Sequence, residues 1–160
     1  MTIETGKEPK IVKTQAALNS LLGLPVTYVW FGDGEALFLE LGELEATQRK
    51  DGSHGRPKGA VTITVYCSWR IESNRTIVCG SGDSKRRTAS IEKRLVSSEV
   101  SDIQVLGRIP ELRLRFSNNL WLQTFSRYAG QPDWGLLFRS PEFGGLGVKA
   151  GRLYLDERTL

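Results

Sequence analysis

Residues 21–41, LLGLPVTYVWFGDGEALFLEL, and residues 95–116, LVSSEVSDIQVLGRIPELRLRF, carry the same apolar frame once one residue is inserted at the turn. Leu21 falls on Leu95, Val26 on Val100 and Val29 on Ile103, and past the insertion Leu37, Leu39 and Leu41 fall on Leu112, Leu114 and Phe116. Alternating β-branched, aromatic and aliphatic residues on either side of a glycine-bearing turn are what a half-buried hairpin requires. Each copy is preceded by a stretch of helical spacing, so the unit reads helix, strand, turn, strand, used twice. The expected fold is α+β: mainly antiparallel sheet built from two such units, with two helices packed on the sheet. Residues 1–12 are polar and aperiodic and are expected to form a flexible leader, followed by a single domain over 13–160 made of two pseudo-repeats, about 13–80 and 81–160.

Local signals place the elements. Thr14 can cap a helix over 15–22, where Ala17, Leu18, Leu21 and Leu22 follow the 3, 4 spacing of one buried face and Gly23 supplies the stop. Strands are expected at 26–31 and 36–41 around Gly32-Asp33-Gly34, at 61–69 (VTITVYCSW) and at 75–79 (RTIVC). Asp83 or Ser84 caps a second helix over 85–96, with Ile91 and Leu95 inward and five basic residues outward. In the following hairpin, Asn118 and Asn119 are taken as a two-residue turn, which sets Phe116 opposite Trp121, Leu114 opposite Gln123 and Leu112 opposite Phe125 on the core face. Beyond a Pro132-Asp133 turn, 134–138 and 152–155 read as closing strands around the Gly-rich link FGGLG.

Composition narrows the function classes. The apolar fraction of 39% and charged fraction of 25% are those of an ordinary globular chain. No apolar run approaches the roughly 20 residues a bilayer-crossing helix needs, so no membrane partner is expected. The first residues lack the apolar core of a secretory signal, which predicts a cytoplasmic protein. Cys67 and Cys79 are then expected to be reduced and buried, since two thiols without clustered partners cannot complete a metal site. Net charge is +4, and residues 81–160 carry all of that excess, with thirteen Lys/Arg against nine Asp/Glu. Such asymmetry marks a surface for an acidic partner, whether protein or nucleic acid.

Few residues offer chemistry. His54 is the only histidine, and with Asp51 and Ser53 in one polar loop it reads as a solvated side chain, because triad members are assembled by tertiary structure. Gly80-Ser81-Gly82-Asp83-Ser84-Lys85 runs from strand to helix but lacks the spacing of a phosphate loop, and its Asp83 would repel phosphate. Glu35, Glu40, Glu43 and Glu45 read as a solvated acidic face. No catalytic residue, metal site or cofactor is therefore expected, and an enzyme is the weakest reading.

The remaining candidate is the basic set of the second half: Arg108, Arg113, Arg115 and Arg127, with Tyr128 and Trp134 interleaved and Lys85, Arg86 and Arg87 on the helix. Arginine beside aromatics suits a protein hot spot and a single-stranded nucleic-acid groove alike, and a merely solvated basic face is the plain alternative to both. The assumed register puts Trp121 in the core, away from the arginines, which favours a protein partner. The two copies differ in polar dress, with Phe38 and Glu40 standing where the second has Arg113 and Arg115.

The hairpin LLGLPVTYVWFGDGEALFLELG, Trp69-Arg70-Ile71-Glu72, VSDIQVLGRIPELRLRFSNNLWLQTF and Pro132-Asp133-Trp134-Gly135-Leu136 together resemble a group of small bacterial domains of uncharacterised function. These use a GxxVxxVxxxGxxxxLxLxF(D/N)(G/N) hairpin twice. Some similar proteins are immunity partners of bacterial toxins, and the resemblance implies a protein-binding, immunity or regulatory role with no catalytic residues to carry over. The expected function is thus non-enzymatic protein binding, with nucleic-acid binding through the same basic face second and a small-ligand or hydrolytic site between the repeats third.

Overall fold

The computed structural model describes residues 10–130 and 133–156. Element order is α1 (Lys10–Asn19), β1 (Val26–Phe31), β2 (Leu37–Leu41), β3 (Val61–Val65), β4 (Ser68–Ser73), β5 (Thr76–Gly80), α2 (Lys85–Leu95), β6 (Val100–Leu106), β7 (Glu111–Phe116), β8 (Trp121–Phe125), β9 (Trp134–Phe138), β10 (Gly145–Lys149) and β11 (Arg152–Asp156). The strands form two antiparallel sheets, one of six in the order β1-β2-β3-β9-β10-β11 and one of five in the order β5-β4-β8-β7-β6. The α+β expectation holds at this level. No helix among the described residues is long and apolar enough to cross a membrane.

The helices depart slightly from their sequence signals. α1 starts at Lys10, inside the segment expected to be a leader, and Thr14 is a buried helix-interior residue beside Ala17 and Leu18 rather than a cap. The inward face runs 14, 17, 18, 21, so the amphipathic pattern extends a turn earlier than the aliphatic residues alone suggest. Residues 1–9 of that expected leader, and Pro132 of the expected turn, lie outside the described residues. The helix ends at Asn19, Leu22 is left exposed, and Gly23 takes the left-handed φ of 85° that stops it. α2 starts as expected, with the Ser84 hydroxyl accepting from the Arg87 N–H at 3.3 Å, and buries Ile91 and Leu95.

The hairpins β1-β2 and β6-β7 share one register. Val26 faces Leu41 and Val29 faces Leu39; Val100 faces Phe116 and Ile103 faces Leu114. In both, the register shifts between the first residue and the third, so Thr27 and Ser101 sit in matching bulges. Each bulge hydroxyl donates to the strand opposite, Thr27 to the Glu40 carbonyl at 3.2 Å and Ser101 to the Arg115 carbonyl at 3.1 Å. The chain leading into each hairpin then bonds the other: Gly23 N–H to Val100 O, Ser97 N–H to Val26 O, Val26 N–H to Ser98 O and Val100 N–H to Leu24 O, all at 2.7–3.0 Å. Gly23 and Ser97 both have positive φ, and Pro25 and Glu99 form the bridge between them. α1 lies against β6 and α2 against β1.

The stretch 61–69 is not one strand. It passes from the six-stranded sheet, where β3 pairs with β9, to the five-stranded sheet, where β4 pairs with β8. Val61, Ile63, Val65, Cys67, Trp69 and Ile71 are all buried, so the alternation continues unbroken across the change of sheet. That is why the sequence hides it: the inner faces of both sheets line one apolar cluster, and a strand that keeps facing the cluster keeps its period of two. The chain makes the reverse passage between β8 and β9. Both passages end on a buried indole with a matching bond, Trp69 Nε1 to the Glu35 carbonyl at 2.8 Å and Trp134 Nε1 to the Pro110 carbonyl at 3.0 Å.

The Gly-rich link also differs from expectation, because Gly145–Lys149 is a strand paired on both sides. A Cβ at Gly147 would stand 2.9 Å from the Trp134 carbonyl, so glycine there permits close strand packing and does not signal a loop.

Candidate functional site

The turn between β7 and β8 decides what the open face of the five-stranded sheet presents. Phe116 N–H donates to Leu120 O and Asn119 N–H to Phe116 O, both at 2.9 Å, and Asn119 alone of the turn residues has positive φ, at 64°. The loop is therefore three residues, Ser117–Asn119, not two. Leu114 faces Leu122 and Arg115 faces Trp121. This one-residue difference from the sequence expectation reverses the strand's faces. Leu120, Leu122 and Thr124 turn inward, and Trp121, Gln123 and Phe125 turn outward beside the arginines.

Two rows of side chains cross that outer face. One runs Asp102, Arg115, Trp121, Glu72; the next runs Gln104, Arg113, Gln123, Arg70. The Arg115 guanidinium lies 5.1 Å from the Trp121 ring centroid and donates to the Asn119 side-chain oxygen at 2.8 Å. Arg113 Nε donates to Gln123 Oε1 at 2.8 Å, and Arg70 pairs with Glu72 at 2.8 Å. The two central arginines are thus oriented by neutral amides, and among the described residues neither has a carboxylate as partner. Their charge is available to a third party.

Beyond the rows, Phe125 and Tyr128 are each 60% exposed and, with Arg70 and Arg127, line a shallow cleft of about 520 Å³ that reaches Cys67 and Glu35. Arg108 is exposed in the turn between β6 and β7. Of the residues singled out from sequence, Arg113 and Arg115 share the sheet face, and Arg127 and Tyr128 extend it. Trp134 does not belong to it: at 2% exposure and bonded to Pro110, it is a core residue. Arg70, Glu72 and Phe125 were not foreseen as surface partners. The first two arrive through β4, which joins this sheet from the other half of the chain, and nothing local to residues 68–73 signals that.

The matching face of the six-stranded sheet is buried over β2 and β3, while Leu137 of β9 is left exposed. There the rows run Tyr28, Glu40, Thr62, Leu137 and Trp30, Phe38, Thr64, Gly135. The polar loop that holds Asp51, Ser53 and His54 is part of a narrow finger, residues 43–60, bridged at Glu45–Lys58 and Gln48–His54. Arg56 and Lys58 lie 4.4 and 5.4 Å from the Trp30 ring centroid, and Trp30 stacks on Phe38 with ring centroids 3.8 Å apart. Glu40, read from sequence as part of a solvated acidic face, is fully buried under this strap. It accepts from Trp30 Nε1 at 3.0 Å, from Gly59 N–H at 3.1 Å and from the Thr62 hydroxyl, with Arg139 at 3.8 Å.

The groups weighed for chemistry are arranged for structure. The Ser53 hydroxyl donates to Asp51 at 2.6 Å within the exposed tip of the strap, and those bonds hold the Asp51 carboxyl below its usual range. Asp83 accepts from Gly80 N–H at 2.8 Å, placing a carboxylate inside the loop where a phosphate would sit. Cys67 and Cys79 are free and buried, and burial pushes both thiols up to about 11, away from the reactive thiolate. Among the described residues no three His, Cys, Asp or Glu side chains gather as metal ligands.

In comparisons with known proteins, no family model, no curated protein and no solved structure matches the chain.

Proposed function

We propose that this chain is a non-enzymatic, cytoplasmic binding protein that engages another protein through the outer face of its five-stranded sheet, in an immunity or regulatory role. The observation that carries this reading is the contrast between the two sheets. On one outer face residues 43–60 reach over Trp30 and bury Glu40; the corresponding hairpin connection of the other is the three-residue loop Ser117–Asn119, and that face is left open. What it leaves open is arginine and aromatic surface, the composition that dominates protein hot spots. The correspondence of bulges, indole bonds and linker bonds supports a further proposal, that one domain was built from two copies of a helix–hairpin unit and that only the second kept a free face.

Affinity capture from cells of the source organism tests the first point. A partner retained by the wild type and by Arg49→Glu/Lys50→Glu, at the remote strap tip, is expected to be lost with Arg113→Glu/Arg115→Glu. Retention by all three chains would rule this face out.

Nucleic acid is the second reading, favoured by Arg115 lying over Trp121. Binding of a single-stranded oligonucleotide at about 20 mM salt that weakens steeply as salt rises and disappears with Arg113→Glu/Arg115→Glu would establish it in place of the first.

A further inference from the structure

The covered face shows what kind of occupant the open one takes. On the six-stranded sheet, the fixed groups are a carboxylate and aromatic rings, and the strap answers them with two cations over Trp30 and a backbone N–H to Glu40. On the five-stranded sheet, the residue matching Glu40 is Arg115 and the residue matching Phe38 is Arg113, so the polarity of the surface is reversed. The third strand stays neutral but becomes larger, with Trp121 and Gln123 where Thr62 and Thr64 stand. A segment lying here meets two guanidinium groups where the strap meets a carboxylate and a ring, and carboxylates are the groups that answer them.

Resting on the protein-binding reading above, we infer that the open face receives an extended acidic segment of the partner, with carboxylates on alternate residues engaging Arg113 and Arg115. Spacing supports this. Arg113 and Arg115 are two residues apart on one strand, about 6.8 Å, which is the separation of alternate side chains on an extended peptide. Their guanidinium groups are already oriented by Gln123 and Asn119, so less side-chain freedom is lost when a carboxylate arrives. Trp121 provides flat area between the cationic row and Glu72.

A phosphate backbone fits less well. It carries charge at every nucleotide, and Asp102 and Glu72 stand at the two ends of the Arg115 row. A peptide can place its charges at the arginines and neutral residues at the ends.

The test uses the full chain and three labelled probes: an alternating Glu-Ser octapeptide, a Lys-Ser octapeptide and an eight-residue oligothymidylate, titrated at low ionic strength. Saturable binding of the Glu-Ser peptide alone is expected. Arg113→Glu/Arg115→Glu should weaken it by at least about tenfold, and Arg49→Glu/Lys50→Glu, with the same change in net charge, should leave it within about twofold. Arg113→Gln/Arg115→Gln, which keeps the side chains polar and neutral, should weaken binding as well while retaining the wild-type circular dichroism spectrum.

No saturation by about 1 mM peptide, equal loss in both double variants, or tighter binding of the oligothymidylate would overturn the inference. The two levels separate cleanly. If a captured partner depends on Arg113 and Arg115 but excess Glu-Ser peptide does not displace it, the acidic segment fails and the protein-binding face stands. If capture ignores the two arginines, the face itself fails.

Discussion

Glu40 and Arg115 stand at matching places on the two sheets, and their surroundings explain their opposite fates. A carboxylate at 0% exposure is tolerable only where donors replace water, and Glu40 has the Trp30 indole, the Gly59 N–H and the Thr62 hydroxyl, with Arg139 beside it. Glu40→Leu keeps the volume but leaves those donors without an acceptor, and should cost about 3 kcal/mol in denaturant unfolding. A loss below about 0.5 kcal/mol would mean that the donors find other partners. Glu111 differs: burial raises its carboxyl above the usual value, with Asp133 adding to the rise and bonds from Ser126 and Thr124 opposing it. Because the folded value exceeds the unfolded one, this group's contribution is fully present below the unfolded pKa and is lost as pH rises through the folded pKa. Glu111→Gln removes that slope, so its melting temperature relative to wild type should climb between pH 4 and pH 7. A constant difference across that range would contradict the assignment. Neither burial was visible in sequence, since Glu40 sits in an ordinary alternating strand and is enclosed by residues about 20 positions away.

At the scale of elements, the strap is the part of the molecule least like its sequence signature. Its glycines and charged residues around Asp51, Ser53 and His54 read as a polar loop, yet the segment is fixed by Arg56 and Lys58 over Trp30 and by the Gly59 bonds, contacts that no local pattern announces. Gly59 is its anchor. A Cβ there would meet the Leu41 carbonyl oxygen at 2.4 Å and the Leu41 nitrogen at 2.9 Å, both backbone atoms that cannot move aside. Gly59→Ala should therefore lift the end of the strap, expose Trp30 and raise acrylamide quenching of its fluorescence, an increase that disappears when Trp30→Phe is added. Unchanged quenching would show that the strap holds without that close approach. The hairpins were legible because alternation and turn glycines are local, and they kept their expected strands. The β7-β8 register was not, because Trp121, Gln123 and Phe125 look no less suited to a core than Leu120, Leu122 and Thr124. Only the three-residue geometry of Ser117–Asn119 distinguishes the two faces.

At the scale of the whole molecule, the two passages between sheets make each half depend on the other. β3 finds its outer partner in β9, and β8 finds its in β4, so both sheets mix strands from residues 1–80 with strands from 81–160. α1 packs on β6 and α2 on β1, which crosses the halves a second time. A fragment ending at Gly82 would contain β1-β2-β3 with one edge of β3 unpaired, and β4-β5 with no sheet to join. Its inward side chains would face no second sheet, since the apolar cluster draws on both. Three strands without a covering layer bury too little apolar surface to offset the entropy of ordering them. The cut falls in the turn Ser81–Ser84 between β5 and α2, where it severs no strand or helix. Fragments 1–82 and 83–160 should each give a poorly dispersed amide spectrum alone and, when mixed in equal amounts, the dispersed spectrum and size-exclusion volume of the intact chain. A folded spectrum from either fragment by itself would mean that β4-β5 or β9-β10 can turn back onto its own half. In that case the exchange of hairpins is a consequence of the linkage rather than a requirement of the core.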